Sequence, residues 1–271
     1  MTKYFSPTEM DVAFDSVMQW HLRFNEGMRI SRVSYFEKGF IVHKLIDNFW
    51  DSNKLGRKYK SAEKFAAYAK GKWLSHVIGV ERSAEKGKEP IDWRTEDEKW
   101  KMASQIYNLA IPLFYKLIEW GPPIYPELKF KCELELIGLT NTGLGLKGRL
   151  DEVRKEDDLI LVRDYKTGRS MRRRDIEHGT QSVIYPVGLM LRALESQEVA
   201  EKLSLSEREI RHLLLNLNEL YQRVQFEYVL LERKGFYLDS ETEDVNEEKA
   251  IKQLEFIRKH PSIKDMRLAA E

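Results

Sequence analysis

The chain has 271 residues, of which 42% are hydrophobic and 33% are charged, and its net charge at pH 7 is +1. It has enough apolar material for one large core, and no run of about 20 apolar residues marks a membrane span. A charge this close to zero excludes strong overall attraction to nucleic acid, so a polyanion would have to meet a local basic surface. The start of the chain leads into no signal-peptide core, and the single cysteine, Cys132, excludes an internal disulfide, so we expect a cytoplasmic protein that has no membrane partner.

Helical patterns fill most of the first 125 residues. Ser6 followed by Pro7 is typical of a helix start and predicts a helix over 7–26, which carries Met10, Phe14, Val17, Met18 and His21 at helical spacing. A second helix, over 34–50, is predicted to turn one stripe of side chains inward: Phe36, Gly39, Phe40, His43, Ile46, Asp47 and Trp50.

Two more helices are predicted in this half of the chain. One covers 61–78 and is followed by a polar loop over 81–90. The other begins with a capping box formed by Thr95 and Glu98 and ends at Trp120, just before a Gly-Pro-Pro stop. This part of the chain is therefore expected to be mainly helical.

Strand patterns dominate the second half. Apolar and charged residues alternate over 130–136 and 224–230, which predicts two strands, with 210–217 as a partner for the second. Helices are predicted over 181–204 and 246–260. The pattern as a whole indicates a sheet that is covered by helices.

A β-hairpin is predicted near the centre of this half. Leu159 to Val162 form an apolar run that is typical of a buried strand, and the polar residues 155–158 join this run to the preceding strand. Because side chains alternate along a strand, Asp164 and Lys166 project from one face, while their neighbours project from the other. An acid and a base therefore share one side.

Asp151 can reach the same point from the preceding strand, because paired strands lie only about 5 Å apart. Two carboxylates are hard oxygen ligands that suit Mg²⁺ or Mn²⁺, and such a cation lowers the pKa of a bound water. The ammonium of Lys166 can stabilise charge that develops on a phosphate or help to position the attacking water. In a chain this rich in charge, an isolated Asp-x-Lys is usually an exposed strand end without a catalytic role. The surrounding motifs therefore have to show whether this one is functional.

Four elements resemble, in order, those of the RecB-type branch of the PD-(D/E)XK nuclease superfamily. They are Gly39 to His43, Gly148 to Asp151, Asp164 to Gly168, and Gln181 with Tyr185. The resemblance spans residues 4 to about 238. It implies an α/β fold of the restriction-endonuclease-like kind, with a mixed central sheet flanked by helices and a helical N-terminal elaboration. We expect one nuclease domain over residues 1–271, made of a mainly helical part (1–125), a catalytic sheet core (126–240) and a C-terminal helix (241–271).

The resemblance also implies roles for individual residues. Asp151, Asp164 and Lys166 would be catalytic, and the metal would be held by His43, Asp151, Asp164 and Tyr165. By spacing alone His43 is a core histidine, and only the resemblance makes it a ligand. Gln181 and Tyr185 share a helical face and would contact DNA or the catalytic lysine. Pro186 follows directly and predicts a kink or a restart of the helix at Tyr185, unless the helix begins close by.

Arginines directly after the motif strand are the best candidates for phosphate contact: Arg169, Arg172, Arg173 and Arg174. The alternative for this set is a solvated loop. A second basic set, within residues 54–64, is predicted only to solubilise a loop and a helix start.

The function that the resemblance implies is that of a divalent-metal DNA nuclease, frequently an exonuclease in recombination, repair or phage DNA processing. One cysteine cannot supply the four ligands of the iron–sulfur cluster that many RecB-type relatives carry, and no glycine-rich nucleotide loop is present, so we expect neither the cluster nor ATP. The expected partner is DNA, as a single strand or a duplex end. A helicase or recombination protein would supply any unwinding, and homo-oligomers remain open. The rival hypotheses are a non-catalytic DNA-binding subunit, an endonuclease, and a metal enzyme with another substrate.

Overall fold

The computed structural model describes residues 2–28, 33–50, 59–137, 143–167, 180–231 and 255–259. Within these ranges the helices are α1 (Pro7–Asp15), α2 (Val17–Trp20), α3 (Ser34–Trp50), α4 (Ala62–Ala84), α5 (Glu98–Trp120), α6 (Gln181–Glu195), α7 (Gln197–Leu203), α8 (Glu207–Leu215) and α9 (Leu217–Arg223). The strands are β1 (Lys3–Phe5), β2 (Leu128–Glu133), β3 (Leu144–Leu150), β4 (Glu152–Glu156), β5 (Leu159–Lys166), β6 (Val224–Leu230) and β7 (Glu255–Lys259). Among the helices of the described ranges, none is both long enough and apolar enough to cross a membrane.

The strands form two small mixed sheets. One has the order β1-β3-β2, with β1 parallel and β2 antiparallel to β3. The other has the order β4-β5-β6-β7, in which only β5 and β6 are parallel. Asp151 alone separates β3 from β4, so the chain passes from one sheet to the other at this residue. The predicted mixed α/β fold, of the restriction-endonuclease-like kind, is confirmed.

The predicted hairpin is also confirmed. Strands β4 and β5 pair from Glu156 opposite Leu159 to Glu152 opposite Arg163. Asp157 in the turn has a φ of 53°, a left-handed conformation that aspartate adopts more readily than most residues. Ile160, Leu161 and Val162 of β5 are fully buried, as the sequence pattern predicts, whereas Leu159 at the strand start is half-buried.

Helices cover both faces of the four-stranded sheet. Tyr165 and Val229 face the core that α3, α4 and α5 form, whereas Ile160 and Phe226 face the core beneath α6 and α8. Alternate side chains of one strand therefore enter different cores, as expected for a sheet that is buried on both sides.

The N-terminal helix begins as predicted but is shorter. Ser6 caps α1 and forms a capping box with Glu9. The predicted helix over 7–26 is wrong in its continuity, because it breaks at Ser16, which caps α2, and a π-helical turn follows. The apolar residues Phe14, Val17 and Met18 of this segment are exposed.

The predicted inward stripe of α3 is wrong for two of its aromatic residues, whereas Trp50 packs against the core. Phe36 and Phe40 are exposed, and the buried face includes Glu37 and Lys38 instead. These polar residues are tolerated in the core because each has a partner: Glu37 bonds to His76, and Lys38 donates to Gln105.

Two predictions around α4 and α5 need correction. Helix α4 continues to Ala84, so residues 81–84 are helical rather than a loop. The predicted capping box at Thr95 is absent, because the Glu98 carboxylate accepts hydrogen bonds from Ser34 Oγ and from the Arg94 N–H. The contact with Ser34 joins the start of α5 to the start of α3.

Three predictions in the second half are also wrong. Strand β2 ends at Glu133, where a 3₁₀ turn begins. Residues 210–215 belong to helix α8, since a capping box starts α8 and its apolar residues repeat every three or four positions. Residues 255–259 form β7 rather than a helix, and their pairing covers the edge of β6. The rest of the helix predicted over 246–260 lies outside the described residues.

Gly188→Ala is expected to lower the free energy of unfolding by about 1–3 kcal/mol, although alanine normally favours a helix. A Cβ at this position would lie 2.5 Å from the Phe130 ring, which is wedged between Gly148 and Gly188. The control is Gly79→Ala in α4, where no atom lies within 4 Å, and we expect it to stabilise by about 0.5–1 kcal/mol. Urea unfolding measures both changes, and stabilisation by Gly188→Ala would contradict this packing.

Candidate functional site

The candidate site lies where the two sheets separate. Strand β4 pairs with β5 only as far as Arg163, so no strand of the described ranges pairs with β5 on this side from Asp164 to Lys166. Asp151 occupies the opening, and its Oδ2 accepts a hydrogen bond from the Tyr165 N–H at 3.0 Å. The result is a cleft of about 780 Å³ between α3, β5 and the start of α6.

Asp164 and Lys166 project into this cleft from one face of β5, as predicted. Lys166 Nζ lies 2.6 Å from Asp164 Oδ2. Burial raises the pKa of the Asp164 carboxyl, and this effect outweighs the lowering by the Lys166 ammonium. Burial also lowers the pKa of Lys166, but the carboxylates of Asp164, Asp151 and Asp11 raise it more, so the net direction is upward. The lysine therefore keeps its charge at neutral pH.

Gln181 joins the lysine to the acid. Lys166 Nζ donates to Gln181 Oε1 at 3.0 Å, and Gln181 Nε2 donates to Asp164 Oδ1 at 3.3 Å and to the Tyr185 hydroxyl at 3.1 Å. The amide and the phenol share a face of α6, and Pro186 lies inside this helix without ending it. The helix begins close to the proline, at Gln181, which is the case in which the sequence required no restart.

The N-terminal helix fixes the start of α6. The Thr180 N–H donates to Asp11 Oδ1 at 3.1 Å, and Thr180 Oγ1 donates to the Pro7 carbonyl at 3.0 Å. These bonds hold the residue immediately before Gln181. They explain how a helix remote in sequence contributes to the geometry of the site.

His43 reaches the cleft from α3. Its Nδ1 lies 3.2 Å from Asp151 Oδ2. Burial lowers the pKa of the imidazole, but the hydrogen bond and the charge of Asp151 raise it more, so the pKa is raised overall. Gly39, one turn earlier, lets α3 approach the end of β5, since a Cβ there would lie 3.0 Å from Thr167 Oγ1.

The Tyr165 side chain points away from the cleft. Its hydroxyl donates to Glu152 Oε2 at 2.7 Å on the other face of the sheet. The Lys166 carbonyl accepts from the Leu231 N–H, so the preceding carbonyl, that of Tyr165, points to the opposite edge, where Asp151 lies. A contact between Tyr165 and a metal could come only from the main chain.

A buried network of charges supports β5 from behind. Arg163 Nε donates to Glu227 Oε2 at 2.5 Å, and its Nη1 donates to Glu152 Oε1 at 3.3 Å. Glu152 also accepts a hydrogen bond from Arg154, and both arginines are buried. The sequence gives only a weak signal for this network, because the pairing of β5 with β6 has to be known before Arg163 and Glu227 are seen to be opposite.

The donors at the site fit a hard divalent cation. Within the described part of the chain, no three His, Cys, Asp or Glu side chains converge closely enough to hold a metal by themselves. Asp164 Oδ2 is buried beside the Lys166 ammonium at 2.6 Å, and the Asp164 carboxylate offers hard oxygen donors in the cleft. Two carboxylates with a main-chain carbonyl and water suit Mg²⁺, which usually keeps several waters. His43 adds an imidazole beside them.

Several residues around the cleft have no role predicted from the sequence. Arg149 lines the cleft and is partly exposed. Asp47 follows His43 by one turn, and burial, together with the carboxylates of Glu127 and Asp151, raises its pKa to about 7. The position of Arg149 in the Gly-Arg-Leu-Asp motif, two residues before Asp151, is the sequence feature that could have predicted its place in the cleft. The predicted phosphate-binding arginines, Arg169, Arg172, Arg173 and Arg174, lie outside the described residues.

Comparison with known proteins agrees with this geometry. No curated protein matches the chain. A family model described as the PD-(D/E)XK nuclease superfamily matches residues 4–263, and this range includes every predicted site residue. Nucleases of this superfamily act on DNA and generally use Mg²⁺ or Mn²⁺. Because the match covers nearly the whole chain, the protein belongs to the PD-(D/E)XK nuclease superfamily.

Proposed function

We propose that this protein is a metal-dependent DNA nuclease of the RecB type that degrades DNA from its ends, in recombination, repair or phage DNA processing. The observation that carries the proposal is the meeting of Asp151, Asp164 and Lys166 in one cleft, with Gln181 bonded to both the acid and the lysine. A non-catalytic subunit would have no need to keep two buried carboxylates and a buried ammonium together, since burying charge is costly.

Mg²⁺ or Mn²⁺ would be held by Asp151, Asp164 and the main chain of Tyr165, with His43 beside them. When bound, the cation would polarise the phosphate and lower the pKa of a water ligand. Lys166 would place its ammonium beside the phosphate and stabilise the charge that develops during attack. Gln181 would orient that ammonium through its hydrogen bond to Lys166 Nζ. Burial raises the pKa of the Tyr185 phenol, so Tyr185 would remain a neutral hydroxyl.

His43→Ala is expected to weaken Mn²⁺ binding more than Mg²⁺ binding, because imidazole is a softer donor than carboxylate. Calorimetric titration of each cation into the wild-type and variant proteins measures the difference. His212→Ala is the matched control, since His212 is exposed on α8 and pairs only with groups outside the cleft. Unchanged Mn²⁺ affinity in His43→Ala would show that the histidine only orients Asp151.

An exonuclease is expected to degrade a linear strand and to leave the same strand intact when it is closed into a covalent circle. The reason is that an exonuclease needs a free strand end, which a covalent circle does not offer. The assay compares both molecules with Mg²⁺, with Mn²⁺ and with EDTA. Equal degradation of the circle would replace the exonuclease proposal by an endonuclease, and no degradation of either would favour an accessory binding subunit.

We also propose the domain organisation, location, cofactor needs and partners of such a nuclease. Residues 1–271 would form one nuclease domain that works in the cytoplasm without an iron–sulfur cluster and without ATP. A helicase or recombination protein would open duplex DNA where this is needed. The arginines Arg169, Arg172, Arg173 and Arg174 would bind phosphates, and each lost contact would reduce the slope of log K against log salt by about 0.7–0.9.

A further inference from the structure

We propose that Tyr35 and Phe36 form a stacking platform for unpaired bases at the mouth of the cleft, and that the substrate is therefore a single strand or an unpaired end. This inference rests on the proposed nuclease function. It adds a substrate class that the acids and the lysine do not specify, since those residues would meet only phosphates.

The two aromatic side chains belong to the same cleft as the proposed catalytic residues. Both stand in the first turn of α3 and line the cleft with His43, Asp151 and Asp164. Tyr35 is 44% exposed and Phe36 is 53% exposed, although large aromatic rings are usually well covered.

The aromatic pair lies on the part of α3 that faces the cleft containing Asp151 and Asp164. Phe36, Gly39 and His43 follow one another at helical spacing, so a line from the rim of the cleft to Asp151 runs along α3. The Tyr35 and Phe36 ring centroids are 4.5 Å apart with an angle of 50° between the planes. Two neighbouring rings present more stacking surface than one.

Positive charge accompanies the rings. The Arg94 guanidinium lies 5.6 Å from the centre of the Tyr35 ring, and Arg149 lines the cleft with both aromatics. Rings for bases and cations for phosphates are the combination that binds single-stranded nucleic acid.

Base geometry decides which form of DNA fits these rings. In a duplex the flat faces of the bases are stacked on one another, and the phosphates lie outside. An aromatic side chain on the rim can stack only on a base that has left its stack or on the one outer face of a terminal base pair, whereas every base of a flexible single strand can offer a face. The platform therefore favours unpaired nucleotides over an intact duplex.

The test is a binding measurement in EDTA, where cleavage does not interfere. A single-stranded oligonucleotide carrying 2-aminopurine and a blunt duplex of the same sequence with G·C ends are titrated with the full-length protein. We expect Tyr35→Leu/Phe36→Leu to bind the single strand about tenfold more weakly and to lose the quenching of 2-aminopurine, with unchanged affinity for the duplex. Tyr35→Phe/Phe36→Tyr keeps both rings and should retain binding and quenching.

Phe14→Leu is the matched control, because Phe14 is also an exposed aromatic residue but does not line the cleft. Equal loss for single strand and duplex, or no loss for either, would overturn the platform. A thermal unfolding midpoint close to that of the wild type shows that each variant is folded. Cleavage of the single strand by the wild-type protein with Mn²⁺ is measured separately, so absence of nuclease activity is distinguishable from absence of stacking.

Discussion

Asp151→Ala, Asp164→Ala and Lys166→Ala are each expected to abolish cleavage, with losses of at least about 10²–10³-fold, while the protein stays folded. The two aspartates provide the carboxylate oxygens of the proposed metal site, and Lys166 provides the charge that would face the phosphate. Digestion of end-labelled DNA with Mg²⁺ and with Mn²⁺ measures the loss. The aspartate variants should also bind the cations more weakly in calorimetric titration.

A matched control for these variants is Asp158→Ala. Asp158 lies in the turn at the other end of the same hairpin, and its side chain is 93% exposed. The Asp158→Ala variant should cleave DNA as fast as the wild-type protein does. Full activity in Asp151→Ala, Asp164→Ala or Lys166→Ala, with protein free of host nuclease, would remove that residue from the proposed mechanism.

Arg163→Met is expected to lower the free energy of unfolding by about 3–5 kcal/mol, which is a large part of the stability of a typical domain. The guanidinium lies between two buried carboxylates, Glu152 and Glu227, and its removal leaves both without this partner in a buried environment. Urea unfolding with extrapolation to water measures the change.

Arg211→Met is the control for this prediction, since Arg211 pairs with Glu207 on the exposed face of α8. Exposed pairs of this kind contribute about 0.3–0.5 kcal/mol. If both variants lose equally little stability, the network around Arg163 is not important for folding. Arg163→Met is also expected to impair cleavage, because the same strand carries Asp164 and Lys166 on its other face.

The sequence alone determined the features that depend on local chemistry. The hairpin follows from an apolar run beside a polar turn, and the shared face of Asp164 and Lys166 follows from the alternation of side chains along any strand. The start of α1 follows from Ser6 and Pro7. The spacing of Gln181 and Tyr185 likewise predicted a shared helical face, because residues four apart meet on a helix.

The tertiary structure decided what depends on partners far away in the chain. Periodicity marks a stripe on α3 but does not say which neighbour covers it, so Phe36 was placed on the inward stripe although its side chain is exposed at the cleft. The strand at 255–259 exists because β6 offers it an edge, and no local pattern contains that edge.

The opening of the cleft itself is a tertiary feature. Asp151 stands where the chain leaves one sheet for the other, so β4 no longer pairs with β5 and the end of β5 is left accessible. The Tyr165 side chain then faces Glu152, because alternation along β5 sends it away from the acids. The sequence alone identified the chemical groups of the site. Strand pairing between distant segments determined which of these groups come together, because the stability of a strand pair depends on contacts between segments that are far apart in the chain.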